Sequence, residues 1–213
     1  SAPWVKAAGG PRYGGVLKMA VTSIESLSPI FIASTYAHQA ASNMYANLVR
    51  YNQTGYALPW LAESWDISSD SKVYTFRLVK NATWHDGKPF TSADVKYSVE
   101  IWPKYNQYGS QIFEKLERVE APDPYTVKII FNTSFAPFMQ MLNFHWFTPV
   151  PKHLYEGTDV AKNPYNDKPV GTGPFKFVEW VKGSHLVMER YDKYPFSDSE
   201  GNQLPYLDGL YVK

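Results

Sequence analysis

Strands and helices interspersed along one chain predict a mixed α/β fold of the α+β class. Three observations carry this. Val73-Tyr74-Thr75-Phe76-Arg77-Leu78 alternates, with Tyr74, Phe76 and Leu78 on one face, the period of a half-buried strand. Val95, Val99 and Trp102 recur at i, i+4 and i+7, the stripe of an amphipathic helix. Residues 175–181 and 186–191 flank Lys182-Gly183-Ser184, which reads as a β-hairpin.

The totals agree with a folded chain. The 213 residues are 44% hydrophobic and 16% aromatic, with a formal net charge of +1 and no Cys. Such a composition buries a core, so intrinsic disorder is excluded. A near-neutral balance gives no field to hold a polyanion, so no nucleic-acid partner is expected. Without Cys there is no disulfide framework and no thiolate metal site. No apolar run approaches the ~18 residues of a membrane span. Ser1-Ala2-Pro3-Trp4 lacks a basic and an apolar leader region, so the chain reads as a mature form or a cloned fragment.

The elements follow in order. Residues 1–15, rich in Gly and Pro, are read as an exposed lead-in. Residues 16–21 (Val-Leu-Lys-Met-Ala-Val) read as a strand buried on both faces. Small and apolar residues from Ala37 to Tyr51 recur at helical spacing. Asp86-Gly87 is a turn, with His85 closing the stretch before it. Thr91 and Asp94 supply a helix start, and Pro103 is expected to end that helix. Residues 125–131 form a strand, residues 135–142 a helix with Pro137 in its first turn, and residues 149–155 a turn with a short helix. Leu210-Tyr211-Val212 reads as a last strand.

Catalytic patterns are missing. Gly109-Ser110 and Gly183-Ser184 lack the flanking glycines of a nucleophile elbow. The five His show no i, i+4 pair for a metal, and Gly171-Thr172-Gly173 runs into Pro174 rather than Lys, so it is no phosphate loop. His85-Asp86 can be drawn as half a triad, but a turn explains it better. No metal and no cofactor is implied. Phe144-His145-Trp146-Phe147 places four bulky residues in a row, and not all can face one core. Some of them, like Tyr105 and Tyr108, are candidates for a ligand wall.

From Tyr74 to Val95 the chain resembles the signature of the bacterial family 5 extracellular solute-binding proteins, the peptide-, nickel- and oligosaccharide-binding components of ABC importers. Gly14-Gly15-Val16-Leu17 is similar to the family's first strand, Leu61-Ala62-Glu63-Ser64-Trp65 to its "LAESW" block, and residues 169–194 to its return to the first lobe. The resemblance implies the N-terminal lobe of a two-lobe, periplasmic-binding-protein-like (class C) fold, with the second lobe absent from this chain. Residues 1–36 and 166–213 would then be part of ligand-binding lobe one, and 37–165 an inserted smaller subdomain.

The implied function is capture of an extracytoplasmic solute, an oligopeptide first, in a cleft between two lobes. An oligosaccharide ligand stays open as the alternative within the family. The implied partners are an ABC permease and its ATPase, with the C-terminal lobe, and the implied place is the periplasm or outer cell surface. Carried over by position, Ser23 and Glu25 lie in the loop near the ligand, where Glu25 accepts from a ligand amine or hydroxyl or stands as a solvated carboxylate. Tyr108 and Trp146 line the cleft, joined by Phe144 and His145 of the same aromatic run. Thr172 and Gly173 lie near the crossover, where their first job is the turn itself. Two other classes stand against this reading: a glycan hydrolase with paired carboxylates, for which no motif sets the pair, and a stand-alone sensor or interaction module.

Overall fold

The computed structural model describes residues 10–143 and 146–213. Its strands are β1 (Val16–Met19), β2 (Val49–Tyr51), β3 (Ala57–Pro59), β4 (Ala62–Ile67), β5 (Val73–Leu78), β6 (Leu116–Asp123), β7 (Thr126–Phe131), β8 (Phe175–Val181), β9 (His185–Arg190) and β10 (Gly209–Val212). Its helices are α1 (Thr35–Ala41), α2 (Ser92–Tyr105), α3 (Gly109–Phe113), α4 (Phe138–Met141) and α5 (Lys152–Tyr155).

Two four-stranded sheets organise the chain. One has the order β1-β10-β9-β8, with β1 and β10 parallel. The first strand therefore pairs with the last, and everything between them departs from and returns to one sheet. The other sheet is antiparallel, in the order β4-β5-β7-β6, and β2-β3 forms a separate ribbon.

Each sheet owns a core. Ala37, Ala40, Ala41 and Met44 pack on Leu186, Met188, Leu210 and Val212 of the first sheet. The larger core runs from Ala46 to Val160 along the chain, joined by Ile30, and holds Tyr74, Phe76, Trp84, Phe90, Val95, Trp102 and Phe138. In β5 the alternation is kept: Tyr74, Phe76 and Leu78 are buried while Arg77 is exposed. Rings meet edge to face around Phe138, at 4.9 Å from both Tyr74 and Phe131, an arrangement favoured by the ring quadrupoles.

Several expectations change. β1 is not buried on both faces; it is a sheet edge, with Val16 57% and Leu17 47% exposed. A run of apolar side chains cannot by itself tell a central strand from an edge. The helix expected through Tyr51 stops at Ala41 and a short 3-10 turn (Ser42–Met44), and residues 49–51 are strand. Pro103 lies inside α2, which runs on to Tyr105. The ring removes one N–H, and Asn106 still closes the last turn onto the Trp102 carbonyl at 3.0 Å. The helix expected over 135–142 shrinks to α4. The start of α2 is as read: the Thr91 N–H donates to Asp94 Oδ2 at 2.9 Å. The other Asp94 oxygen accepts from the Lys152 N–H at 3.0 Å, which fixes α5 to α2.

One buried clasp joins the two cores. Gly171, Thr172 and Gly173 lie flat against the backbone of residues 43–46. The Gly173 N–H donates to the Met44 carbonyl at 3.0 Å, and the Ala46 N–H donates to Thr172 Oγ1 at 3.2 Å. A Cβ on Gly171 would stand 1.7 Å from the Met44 oxygen, and one on Gly173 2.5 Å from Met44 C and Tyr45 N. Only glycine permits this approach.

His85 locks the clasp from the other side. The Gly171 N–H donates to His85 Nδ1 at 3.1 Å, and His85 Nε2 meets the Gly173 carbonyl at 3.0 Å. With Nδ1 accepting, Nε2 carries the proton and the ring is neutral. Burial pushes its pKa down to about 4; the Gly173 carbonyl and Asp86 oppose this, and Lys176 adds to it. His85 thus neither ends a strand nor pairs with its neighbour: Asp86 Oδ2 lies 2.6 Å from His153 Nε2 instead.

Two outcomes are expected. Gly171→Ala should lower unfolding free energy by about 3 kcal/mol or more, read from urea denaturation, because backbone must move. His85 binds a proton in the unfolded chain below ~6.5 but in the folded one only near 4. Its contribution is therefore complete above about pH 6.5 and lost as pH falls toward 4, by about 2–3 kcal/mol. Urea midpoints at pH 7 and pH 4 should fall further for the natural chain than for His85→Gln; equal drops would show that the ring is not held neutral.

Candidate functional site

Loop 22–34, which follows β1, carries the candidate site. Glu25 draws its ends together. Glu25 Oε1 accepts from the N–H groups of Ala33 (3.0 Å) and Ser34 (2.8 Å), and Oε2 from the Ser34 hydroxyl (2.6 Å). Ser34 Oγ in turn accepts from the Ala37 N–H at 3.1 Å and caps α1. Burial alone would raise the Glu25 pKa, but the Ser34 hydroxyl and the Ser34 and Ala33 N–H groups outweigh it and hold the carboxyl below its usual range. Between these anchors, the Tyr45 hydroxyl donates to the Leu27 carbonyl at 3.3 Å.

At its start the loop borders an open cleft of about 310 Å³. Thr22 and Ser23 line it from the loop, Trp180, Ser184 and His185 from the β8–β9 hairpin, and Lys213 from the end of β10. His185 is fixed here. Its Nε2 lies 2.9 Å from Glu179 Oε1, its Nδ1 2.9 Å from Ser184 Oγ, and its ring stacks on Tyr211 at 5.3 Å. Lys182 Nζ sits 4.7 Å above the Trp180 ring, a cation–π contact.

Further along, the loop meets an aromatic corner. Tyr108 and Trp146 are half-buried, with ring centroids 4.6 Å apart and tilted by 53°. The Trp102 indole N–H donates to the Trp146 carbonyl at 2.7 Å and ties this corner to α2. Tyr105, 39% exposed, stands edge-on to Phe31 of the loop at 6.4 Å.

The residues singled out by sequence therefore fall in four places. Ser23 borders the cleft. Tyr108 and Trp146 form the corner. Glu25 binds its own loop. Thr172 and Gly173 are buried in the clasp. Phe144 and His145 lie outside the described residues. Sequence reasoning passed over Trp180 and His185, although a Trp and a His on either side of a Gly-containing hairpin loop are a visible signal. Among the described residues no group of three His, Asp or Glu could hold a metal, and no helix is long and apolar enough to cross a membrane. What the site offers is shape, aromatic faces and hydroxyls beside a few fixed charges.

This arrangement has relatives. The profile of the bacterial extracellular solute-binding proteins, family 5 (middle region), matches residues 57–213. The chain belongs to this family. The oligopeptide-binding protein AppA of Bacillus subtilis (strain 168) is 31% identical over 220 residues, covering 98% of this chain and 38% of its own. The probable D,D-dipeptide-binding periplasmic protein DdpA of Escherichia coli (strain K12) is 37% identical over 137 residues, covering 63% of this chain and 27% of its own. Among solved structures, AppA from Bacillus subtilis in complex with a nonapeptide matches with a TM-score of 0.85 and 26% identity, over 96% of this chain and 40% of that one. NikZ from Campylobacter jejuni in complex with Ni(L-His) matches with a TM-score of 0.81 and 28% identity, over 93% and 38%. The fold is thus that of one lobe of these binding proteins, and the chain spans less than half the length of each of these relatives.

Glu25→Gln should loosen loop 22–34 and the cap of α1 together. Its pKa is lowered on folding, so the carboxylate's contribution is present above the unfolded value near 4.3 and lost as pH falls through the lower folded value. At pH 7 the variant should lose about 1 kcal/mol, because a carboxylate that accepts from three donors becomes a neutral amide whose nitrogen cannot accept from the Ser34 hydroxyl. Melting temperatures of the two proteins should converge near pH 2–3, and a difference that persists there would mean that the charge is not what matters.

Proposed function

We propose that this chain forms one wall of the ligand cleft of an ABC importer's substrate-binding component, and that the ligand is an oligopeptide. The observation that carries this is the match to AppA: 98% of the chain aligns with that oligopeptide-binding protein, and the solved AppA structure it follows holds a nonapeptide. The site chemistry supports it. An extended peptide presents amide groups and small apolar side chains. A cleft edged by Thr22 and Ser23, together with the Tyr108–Trp146 corner, offers hydroxyls for the first and aromatic faces for the second.

In this reading the protein binds without catalysis. The bound peptide lies between two lobes that close on it by hinge motion, and the loaded form docks on a permease served by an ATPase. The working place is the periplasm or the outer face of the membrane. Ser23, Tyr108 and Trp146 touch the ligand. Glu25, Thr172 and Gly173 keep the wall in shape. The division of the chain into a lobe portion (1–36 and 166–213) and an inserted subdomain (37–165) belongs to this proposal, with α1 packed on the lobe sheet.

Calorimetry on the protein as its source cell makes it tests the reading, with trialanine, a nonapeptide and maltotriose as probes. A peptide should bind and maltotriose should not. Tyr108→Ala with Trp146→Ala should weaken peptide binding by about tenfold or more, since aromatic anchors dominate such walls. The 213-residue chain alone should bind weakly, because one wall covers only part of a ligand that two lobes would bury by ~70–90%. Binding of maltotriose in place of peptide would overturn the ligand class. Tight peptide binding by the chain alone would overturn the two-wall mechanism.

A further inference from the structure

We infer that Asn106 is a positioning residue that makes loop 22–34 and the Tyr108–Trp146 corner a single wall. The inference rests on the peptide-cleft reading above, and it names how that site is held rather than what it binds.

Asn106 stands one residue past α2 and is 7% exposed. A buried amide must find partners for both its N–H bonds and its carbonyl. Here the two ends serve different segments. Nδ2 donates to the Ile30 carbonyl at 3.1 Å and to the Pro29 carbonyl at 3.4 Å, both in the loop. Oδ1 accepts from the Tyr108 N–H at 2.8 Å, in the corner. The loop partners are 76 and 77 positions away in sequence, so this is tertiary fastening and not a local turn.

The base of the fastening is firm. The Asn106 N–H closes α2 on the Trp102 carbonyl, and the Gly109 N–H donates back to the Asn106 carbonyl at 3.0 Å. Trp102 itself is 1% exposed and holds the Trp146 backbone through its indole N–H. Loop, Tyr108 and Trp146 thus all hang from the last turn of α2. The side chain that reaches the loop is neutral, fully engaged and too short to reach a ligand past its own partners. It acts through Tyr108 and the loop, and touches no ligand.

Two substitutions separate the parts. Asn106→Ala removes both ends of the fastening. Asn106→Gln keeps the same groups on a side chain longer by one methylene, so the fastening survives in a displaced position. These 213 residues hold no Cys, so once any Cys elsewhere in the full protein is replaced by Ser, spin labels at Ala33→Cys and Gln107→Cys, both exposed positions, report the loop-to-corner distance by pulsed electron paramagnetic resonance. Labels at Glu100→Cys and Glu114→Cys report the α2–α3 unit alone.

On the protein as its source cell makes it, the Ala33–Gln107 distribution should be narrow, broaden in Asn106→Ala and shift in mean in Asn106→Gln. The Glu100–Glu114 distribution should stay unchanged in both, which a general loss of structure would not allow. Trialanine affinity should fall by roughly tenfold in Asn106→Ala and recover in part in Asn106→Gln. An unchanged Ala33–Gln107 distribution in both variants overturns the positioning role, whatever the affinities. Should Asn106→Ala not fold, the Asn106→Gln shift decides alone. Broadening or a shift in a protein whose natural form binds neither trialanine nor the nonapeptide upholds the positioning role and counts against the peptide reading instead.

Discussion

The contact on which the rest depends is backbone against backbone. Residues 171–173 lie on residues 43–46, closed by a backbone hydrogen bond at 3.0 Å and by the Ala46 N–H on the Thr172 hydroxyl at 3.2 Å. A contact this close transmits position without slack, because neither strand of chain can shift without breaking a buried hydrogen bond. Two further segments, residues 83–85 and Tyr191, are fastened to it. His85 bridges Gly171 and Gly173, Tyr191 donates its hydroxyl to the Trp84 carbonyl at 2.9 Å, and Thr83 meets the same hydroxyl at 2.6 Å. The sheet that pairs the first strand with the last is thereby joined to the core of the long segment between them. The neutral state of His85 is a consequence of this closure: a second ring proton would face the Gly171 N–H instead of accepting from it.

Polar side chains near the site follow one rule. Glu25, Asn106 and Thr172 all turn inward, onto N–H groups or carbonyls of loops that would otherwise be loose. Fixed loops on a firm base are what a binding wall requires, since each unfixed residue lost to ordering costs affinity. The apolar cores set where the sheets lie. These inward polar bonds set where the loops lie, and loop 22–34 borders the cleft together with the ends of β8, β9 and β10.

Much of this was legible in the sequence, for physical reasons that differ by element. The alternation of β5, the stripe of α2 and the β8–β9 hairpin are local periodic signals, and the structure keeps all three. The family motifs were legible because they recur as ordered blocks. The early stop of α1 was not. Residues 43–46 give up helix to lie against Gly171 to Gly173, and that demand comes from a segment more than a hundred residues away. Edge status of β1 was hidden for the same reason, since its neighbour is the last strand. In the site, Tyr108 and Trp146 could be named as aromatics outside any clean core stripe, but the Asn106 fastening between them and the loop pairs positions with no shared period.

The division between inward polar groups and outward aromatic ones bears on selectivity under the proposed reading. A carboxylate whose two oxygens already accept three hydrogen bonds, as in Glu25, has little left for discriminating one ligand side chain from another. Hydroxyls, backbone and ring faces remain, and these fit a peptide's repeating main chain better than any one residue type. Specificity by charge needs a fixed, unshared ionic partner. Beside the cleft, Lys182 is engaged with Asp167 and above Trp180, and Glu179 with His185, while Lys213 lines the cleft itself. Under the proposed reading, such a wall suits an extended chain of amides, with Lys213 as the charged group at the cleft, and leaves the rest of side-chain choice to whatever faces it.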